Sequence, residues 1–402
     1  MFEHIASAPP DPILGLNEAF QKDARADKIN LGVGVYLDAQ GKVPVFAAVR
    51  AAERRLVETG APKTYLPISG TPRFGALVQD VIFTPSSSVV TDGRGSTLLT
   101  PGGTGALRVA GDFIATHAKN ASGARARMWI SNPTWENHAK IFAAAGLETK
   151  TYRYLDAAKH ALDAAGLLED LSRAERGDVV LLHGSCHNPT GVDPSKGDWK
   201  TIANLLVDKG LVPLVDLAYQ GLGDGLDDDA FGVRHLASVL PELLVASSYS
   251  KSFGLYGERT GALTAVSADR ESAARVMSQL KVTVRTNYSN PPRHGGVLVE
   301  TILDDAALRA EWSSELDVMR ARIHAMRRGL VDGLKAAGVA RDFSFLAAQR
   351  GMFSYSGLTA EQVDRLREEH GVYAVRSGRI NVAGLTPANL PLVCERIARV
   401  LA

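Results

Sequence analysis

Between about Thr97 and Ser267, short apolar runs alternate with amphipathic stretches: RMWIS (127–131), DVVLLHGS (178–185), LVPLVDLAY (211–219), LLVASS (243–248) and GALTAVS (261–267). Runs of this length, rich in Val, Leu and Ile, predict buried strands, and the amphipathic stretches between them predict covering helices. The alternation as a whole predicts an α/β fold built on a largely parallel sheet. A different pattern follows it. Leu316, Met319, Ile323, Met326, Leu330 and Leu334 recur at steps of three and four, so residues 315–338 read as one long helix with Gly338 as its stop. At about 1.5 Å per residue it would run roughly 35 Å. Such a helix can carry the chain into a second domain containing DFSFLAAQRGMFSYSGL and GRINVAG, which the N-terminal KINLGVGVYLDAQGKVPV is a candidate to join.

Composition narrows the partners. The 402 residues carry 45 basic and 44 acidic side chains, a formal charge of +1, so there is no basic field to attract nucleic acid. The start, MFEHIASAPPDP, lacks a basic segment followed by an apolar run, and no apolar stretch approaches the roughly 20 residues that span a bilayer. A cytoplasmic protein with no membrane partner is expected. Cys186 and Cys394 lack metal-ligand spacing, so no disulfide framework and no metal site are expected.

In open α/β sheets, ligands collect beyond the carboxyl ends of the strands. Five segments there carry unusual residues. TPGGTGALR sets Gly102, Gly103 and Thr104 before a helical pattern, where exposed N–H groups suit a phosphate. ISNPTWENH brings Trp135 and His138; HGSCHNPTG brings His183, His187 and Asn188; VDLAYQG brings Asp216 and Tyr219; SSYSK brings Lys251. Taken singly, each has an ordinary reading: a solvated lysine, a glycine turn, a core tryptophan, structural histidines, a capping aspartate. All of these would have to hold at one sheet edge.

A lysine amine becomes useful when it forms a Schiff base with an aldehyde cofactor. Pyridoxal 5'-phosphate is such an aldehyde, and it needs a phosphate cup, an anion at its ring nitrogen, donors to its phenolic oxygen and an aromatic face. Gly103, Thr104, Ser248 and Arg259 supply the first, Asp216 the second, Asn188 and Tyr219 the third, and Trp135 the fourth.

The ordered set TPGGTGALR, NPTWENH, HNPTG, DLAYQG, SSYSKSFGLYGER, YSNPP and SGRINVAG resembles the class I aspartate/aromatic aminotransferases over essentially the whole chain. The resemblance implies an aspartate aminotransferase-like fold (pyridoxal phosphate fold type I): a large domain at 44–318 with a mostly parallel, seven-stranded-type sheet, a small α+β domain from 11–43 and 319–402, and an N-terminal arm at 1–10. It implies that Lys251 is the Schiff-base lysine and proton carrier, with Asp216 at the pyridine nitrogen and His138 behind it. Ser248, Ser250 and Arg259 join Gly103 and Thr104 as the phosphate cup. Tyr65 is similar to the tyrosine that reaches the phosphate of a neighbouring subunit, so a homodimer with shared active sites is implied. Arg379 resembles the arginine that takes the substrate α-carboxylate, and Arg285 the one that crosses the dimer to a side-chain carboxylate. Gly34 and Tyr36 fall where the family closes over substrate; Trp135 and Asn188 also face substrate.

The implied activity moves an amino group between aspartate or aromatic amino acids (tyrosine, phenylalanine) and 2-oxoglutarate, giving the keto acid and glutamate. Thr104, Val35 and Asn290 resemble the aspartate-selective branch, Leu37 and Val43 the aromatic one, and Ile13 and Leu14 occur in both. A strictly aromatic preference and a catalytically silent binding protein with this fold are the alternatives. A nicotinamide dehydrogenase is disfavoured, because neither GVGVY nor GLGDG completes the G-x-G-x-x-G fingerprint.

Overall fold

The structure, a computed structural model, describes residues 2–7 and 13–402, together with the backbone but not the side chain of Leu14. Residues 1 and 8–10 of the expected N-terminal arm therefore lie outside the described residues, as do positions 11 and 12 at the start of the expected small domain. The chain divides into two compact units, residues 44–321 and residues 1–43 with 322–402.

The larger unit is built on seven strands: β1 (Gly95–Pro101), β2 (Met128–Asn132), β3 (Thr149–Arg153), β4 (Val179–His183), β5 (Val212–Leu217), β6 (Leu243–Ser248) and β7 (Thr260–Val266). Their order across the sheet is β1-β7-β6-β5-β4-β2-β3. Only β7 is reversed, pairing antiparallel with both β1 and β6. The reason is connection length: residues 249–259 are too few for a helical crossover, so the chain turns back directly. β4 and β6 are buried along their whole length and β5 from Pro213 onward, as expected for strands covered on both faces.

Two strands lie outside the five predicted runs. β3 is an edge strand reading TKTYR, with two exposed lysine and arginine positions that hide it from a hydrophobic scan. β1 begins with the polar GST before its apolar pair. Helix α1 (Gly102–His117) covers the sheet through Leu107, Ala110 and Ile114, packed with Ile130, Leu181 and Leu263. Gly102 and Gly103 form its first turn instead of preceding it. Helices α2 (Asn137–Ala144) and α3 (Arg270–Asn287) belong to the same unit.

Helix α4 spans Ala306–Ala336, 31 residues or about 46 Å, nine residues longer at its start than its apolar stripe suggests. Asp305 starts it: its carboxylate accepts from the N–H groups of Ala307 and Leu308 at 2.9 and 3.0 Å. The six stripe residues are buried or, for Met326, partly buried. The division between the units falls within this helix, after Ala321.

In the smaller unit Ile29–Asn30 pairs in parallel with Val372–Tyr373, and Phe353–Tyr355 pairs antiparallel with Arg379–Asn381. Leu31, Leu330, Leu334, Ile380, Val393 and Ile397 contribute to its core. No helix of the described residues is long and apolar enough to cross a membrane.

Candidate active site

The carboxyl ends of β1, β2, β4, β5 and β6 share one edge of the sheet, and the reversal of β7 brings its amino end there as well. Arg259, immediately before β7, therefore meets the start of α1. Thr260 pairs with Pro101 and Gly261 with Ser248. The backbone is close enough that side chains are excluded: a Cβ on Gly102, which holds φ +72°, would lie 2.5 Å from Arg259 Nη2, and one on Gly103 would lie 3.0 Å from Ser248 Cβ. Pro101 caps α1 without a side-chain hydrogen bond, which leaves the first-turn N–H groups for a ligand. Arg259 Nη1 donates to Ser250 Oγ at 3.3 Å and Ser248 Oγ donates to Ser250 Oγ at 3.3 Å. A helix N-terminus, two hydroxyls and a guanidinium thus meet in a cradle that glycine keeps open, as a phosphate group requires.

Asp216 is the penultimate residue of β5 and is buried. His138 Nε2 lies 3.0 Å from its Oδ2, Thr134 Oγ1 lies 2.8 Å from His138 Nδ1, and His183 Nε2 lies 3.2 Å from the same hydroxyl. The direction of this chain follows from its far end. The Asn188 N–H donates to His183 Nδ1 at 3.3 Å, so the neutral His183 carries its hydrogen on Nε2 and donates to Thr134. The single Thr134 hydrogen then goes to His138 Nδ1, leaving His138 Nε2–H for Asp216. Burial holds His183 at about 3, which keeps it neutral. Burial also pushes the Asp216 carboxyl up, but the His138 hydrogen bond and nearby positive charge, Lys251 included, outweigh this and hold it below its ordinary value. The result is a buried, ionised carboxylate suited to a protonated ring nitrogen. His187 serves elsewhere: it stacks on Tyr154 at 3.8 Å, bonds Ser131 and Thr190, and burial depresses it well below the usual histidine range.

Lys251 is partly buried, with Nζ 5.0 Å from the Tyr219 ring centroid. Its loop is held from below: Trp312 Nε1 donates to the Ser252 carbonyl at 2.7 Å, and Phe253 stacks on Trp312 at 4.5 Å while meeting Tyr249 edge-on. Gly254, at φ +65°, supplies the turn. Gly257 has no positive φ and has open space where a Cβ would stand, so the turn does not require glycine there. Trp135 meets His138 edge-on at 5.2 Å, and Asn188 and Tyr219 are buried. Gly103, Thr104, Trp135, His138, Asn188, Asp216, Tyr219, Ser248, Ser250, Lys251 and Arg259 therefore all stand at the one edge.

Four expected residues stand elsewhere. Arg379 and Gly34 are in the smaller unit. Arg379 is 4 % exposed, donates from Nη2 to the Gly32 carbonyl at 2.7 Å, and lies 4.2 Å from the Phe353 ring centroid. Tyr65 is 91 % exposed and Arg285 is exposed, bonded to Ser289 Oγ. The segments that carry these last two are joined, since Asn290 Nδ2 donates to the Leu66 carbonyl at 2.9 Å. Thr134, Trp312 and Phe353 carry site geometry that the sequence reading gave no role. Thr134 lay inside the quoted NPTWENH, and the signal for it is a hydroxyl four residues before a histidine on the same helix entry.

A family model described as aminotransferase class I and II matches residues 26–397. The chain is 55 % identical to an aspartate aminotransferase of Escherichia coli over 401 residues, covering 100 % of both chains. It is 47 % identical to an aromatic-amino-acid aminotransferase of Pseudomonas aeruginosa, over 100 % of this chain and 99 % of the relative. The crystal structure of an aromatic-amino-acid aminotransferase from Burkholderia pseudomallei, covalently bound to pyridoxal phosphate, superposes with a TM-score of 0.96 at 50 % identity, covering 100 % of both chains.

Proposed function

Since the chain belongs to the class I and II aminotransferase family, we propose that it moves the amino group between aspartate or aromatic amino acids and 2-oxoglutarate, in two half-reactions through Lys251. It is an aminotransferase that uses pyridoxal 5'-phosphate. The observation that carries the site assignment is the meeting, at one sheet edge, of a glycine-opened anion cradle, an ionised buried carboxylate and a lysine.

When bound, the cofactor supplies an aldehyde that bonds amines and a ring that accepts the electron pair left as the substrate α-proton departs. Lys251 attaches the cofactor between turnovers and carries that proton. Asp216 keeps a proton on the ring nitrogen, and the His138–Thr134–His183 chain holds Asp216 in place. Asn188 and Tyr219 donate toward the phenolic oxygen, and Trp135 covers the ring. Ser248, Ser250, Arg259 and the Gly103 and Thr104 N–H groups take the phosphate. Arg379 pairs with the substrate α-carboxylate and Gly34 lines its approach.

The active unit in this reading is a cytoplasmic homodimer. Tyr65 and Arg285 are both exposed, which fits residues that complete the site of a second copy. Arg285 there receives a side-chain carboxylate. An Arg–carboxylate pair contributes about 1.5 to 3 kcal/mol, roughly ten- to hundredfold in binding.

The test is kcat/KM for aspartate, tyrosine and phenylalanine with 2-oxoglutarate. Aspartate is expected to lead, with the aromatic substrates within about two orders of magnitude, the range that hydrophobic pockets discriminate. No turnover of aspartate sinks the dicarboxylate half of the reading and leaves the strictly aromatic one. Protein that stays colourless with added pyridoxal phosphate sinks the enzyme reading and leaves the silent binding protein.

A further inference from the structure

Arg327 is among the largest fully buried side chains of the chain, 1 % exposed, and it stands in the apolar face of α4 between Ile323 and Leu330. Burying a guanidinium costs several kcal/mol before its hydrogen bonds are counted, and an apolar residue would serve packing at least as well. Three of its bonds go to one short segment. Nη2 donates to the Gly351 carbonyl and, at 3.4 Å, to the Phe353 carbonyl, and Nε donates to Ser354 Oγ at 3.2 Å. This fork fixes the backbone on which Phe353 stands.

The Phe353 ring is confined from two sides. On one it lies against the Arg379 guanidinium, 4.2 Å from ring centroid to Cζ. On the other, a Cβ placed on Gly34 would come within 2.8 Å of Phe353 Cζ. The strand register explains the first contact: Tyr355 pairs with Arg379 and Phe353 with Asn381, which makes Phe353 and Arg379 diagonal neighbours on one face. Arg379 is then held by the Gly32 carbonyl at Nη2 and by a ring across its plane.

We propose that Arg327 is a positioning residue for the Arg379 guanidinium, acting through Phe353. The proposal rests on the reading of Arg379 as the carboxylate-binding arginine. Its effect belongs to substrate binding and KM and leaves the cofactor side untouched, because the fork, the ring and Arg379 all lie within the smaller unit.

The experiment measures succinate, a dicarboxylate that cannot react, binding to the pyridoxal phosphate-loaded enzyme by calorimetry. Arg327→Met is expected to weaken binding about tenfold and Phe353→Leu about three- to tenfold, with Ser354→Ala weakening it about twofold. Gly34→Ala, which pushes the ring from the other side, is expected to weaken it too. In the double variant Gly34→Ala/Phe353→Leu the collision is relieved, so the two losses combine to less than their product. The pH midpoint of the visible cofactor–lysine absorbance stays that of the parent throughout.

Parent-like succinate binding by Phe353→Leu and Ser354→Ala overturns the proposal, as does full multiplicativity with Gly34→Ala or an absorbance midpoint that moves with the binding loss. These three variants decide the matter if Arg327→Met does not fold. Arg379→Leu separates the premise: if it binds succinate like the parent, the reading of Arg379 has failed and the proposal, which rests on it, falls with it.

Discussion

Arg379 and Arg285 are assigned to the two carboxylates of one substrate, yet their surroundings are opposite. Arg379 is buried, tied to a carbonyl and covered by an aromatic ring, all supplied by its own chain. Arg285 is exposed on α3 and donates to a serine hydroxyl four residues on. A guanidinium held in place loses little freedom on binding, whereas an exposed one gains strength only if something removes water from around it. The same contrast separates the closed cluster around Asp216 from Tyr65. In the reading proposed above, one part of the site is finished by its own chain and the other is completed by a second copy.

The largest effect expected on the finished side is that of Lys251→Ala. Loss of both covalent attachment and proton transfer should lower turnover by at least about a thousandfold and remove the pH-dependent absorbance band. Retained turnover within tenfold of the parent would place the chemistry elsewhere. On the unfinished side, Arg285→Leu should lower kcat/KM for aspartate about ten- to hundredfold with a smaller loss for phenylalanine. Mixing this variant with Lys251→Ala after subunit exchange sharpens the comparison. A mixed dimer carries one site with both residues intact, so activity toward aspartate should rise above that of either variant alone. No recovery would mean that Arg285 serves its own chain.

The smallest effect concerns stability. His183 is held neutral by burial down to about 3, against about 6.5 for an unfolded histidine. As pH falls below about 6.5 the unfolded chain takes up a proton that the native one does not, so this contribution is complete above 6.5 and is lost progressively toward 3. The slope is up to about 1.4 kcal/mol per pH unit for each such histidine. Urea unfolding at pH 5 and pH 7 should show this decline, flattened in His183→Gln. An unchanged slope in that variant would show that the relay histidine titrates freely.

Much of this was legible along the chain because burial leaves a local period. Five of the seven strands are visible as apolar runs, and the residues beyond four of them, β2, β4, β5 and β6, gather at one edge of the sheet. The lysine-and-arginine edge strand Thr149–Arg153 lacks that signal, since one face meets water. In the first turns of α4 the period continues through Leu308 and Trp312, eight and four residues before Leu316 and both buried, and Trp312 there anchors the Lys251 loop.

What the sequence determined by itself was the class of fold, the order of its strands and helices, and the residue types that chemistry at the sheet edge needs. The tertiary structure alone decided the burial of Arg327 in an apolar stripe and the hydrogen-bond direction from Asn188 to Asp216. That last chain joins residues 49 and 78 positions apart, from Thr134 to His183 and from His138 to Asp216. Periodicity reports which face of an element is dry; it carries no record of which distant hydroxyl or imidazole will meet there, because that is set by the packing of whole elements.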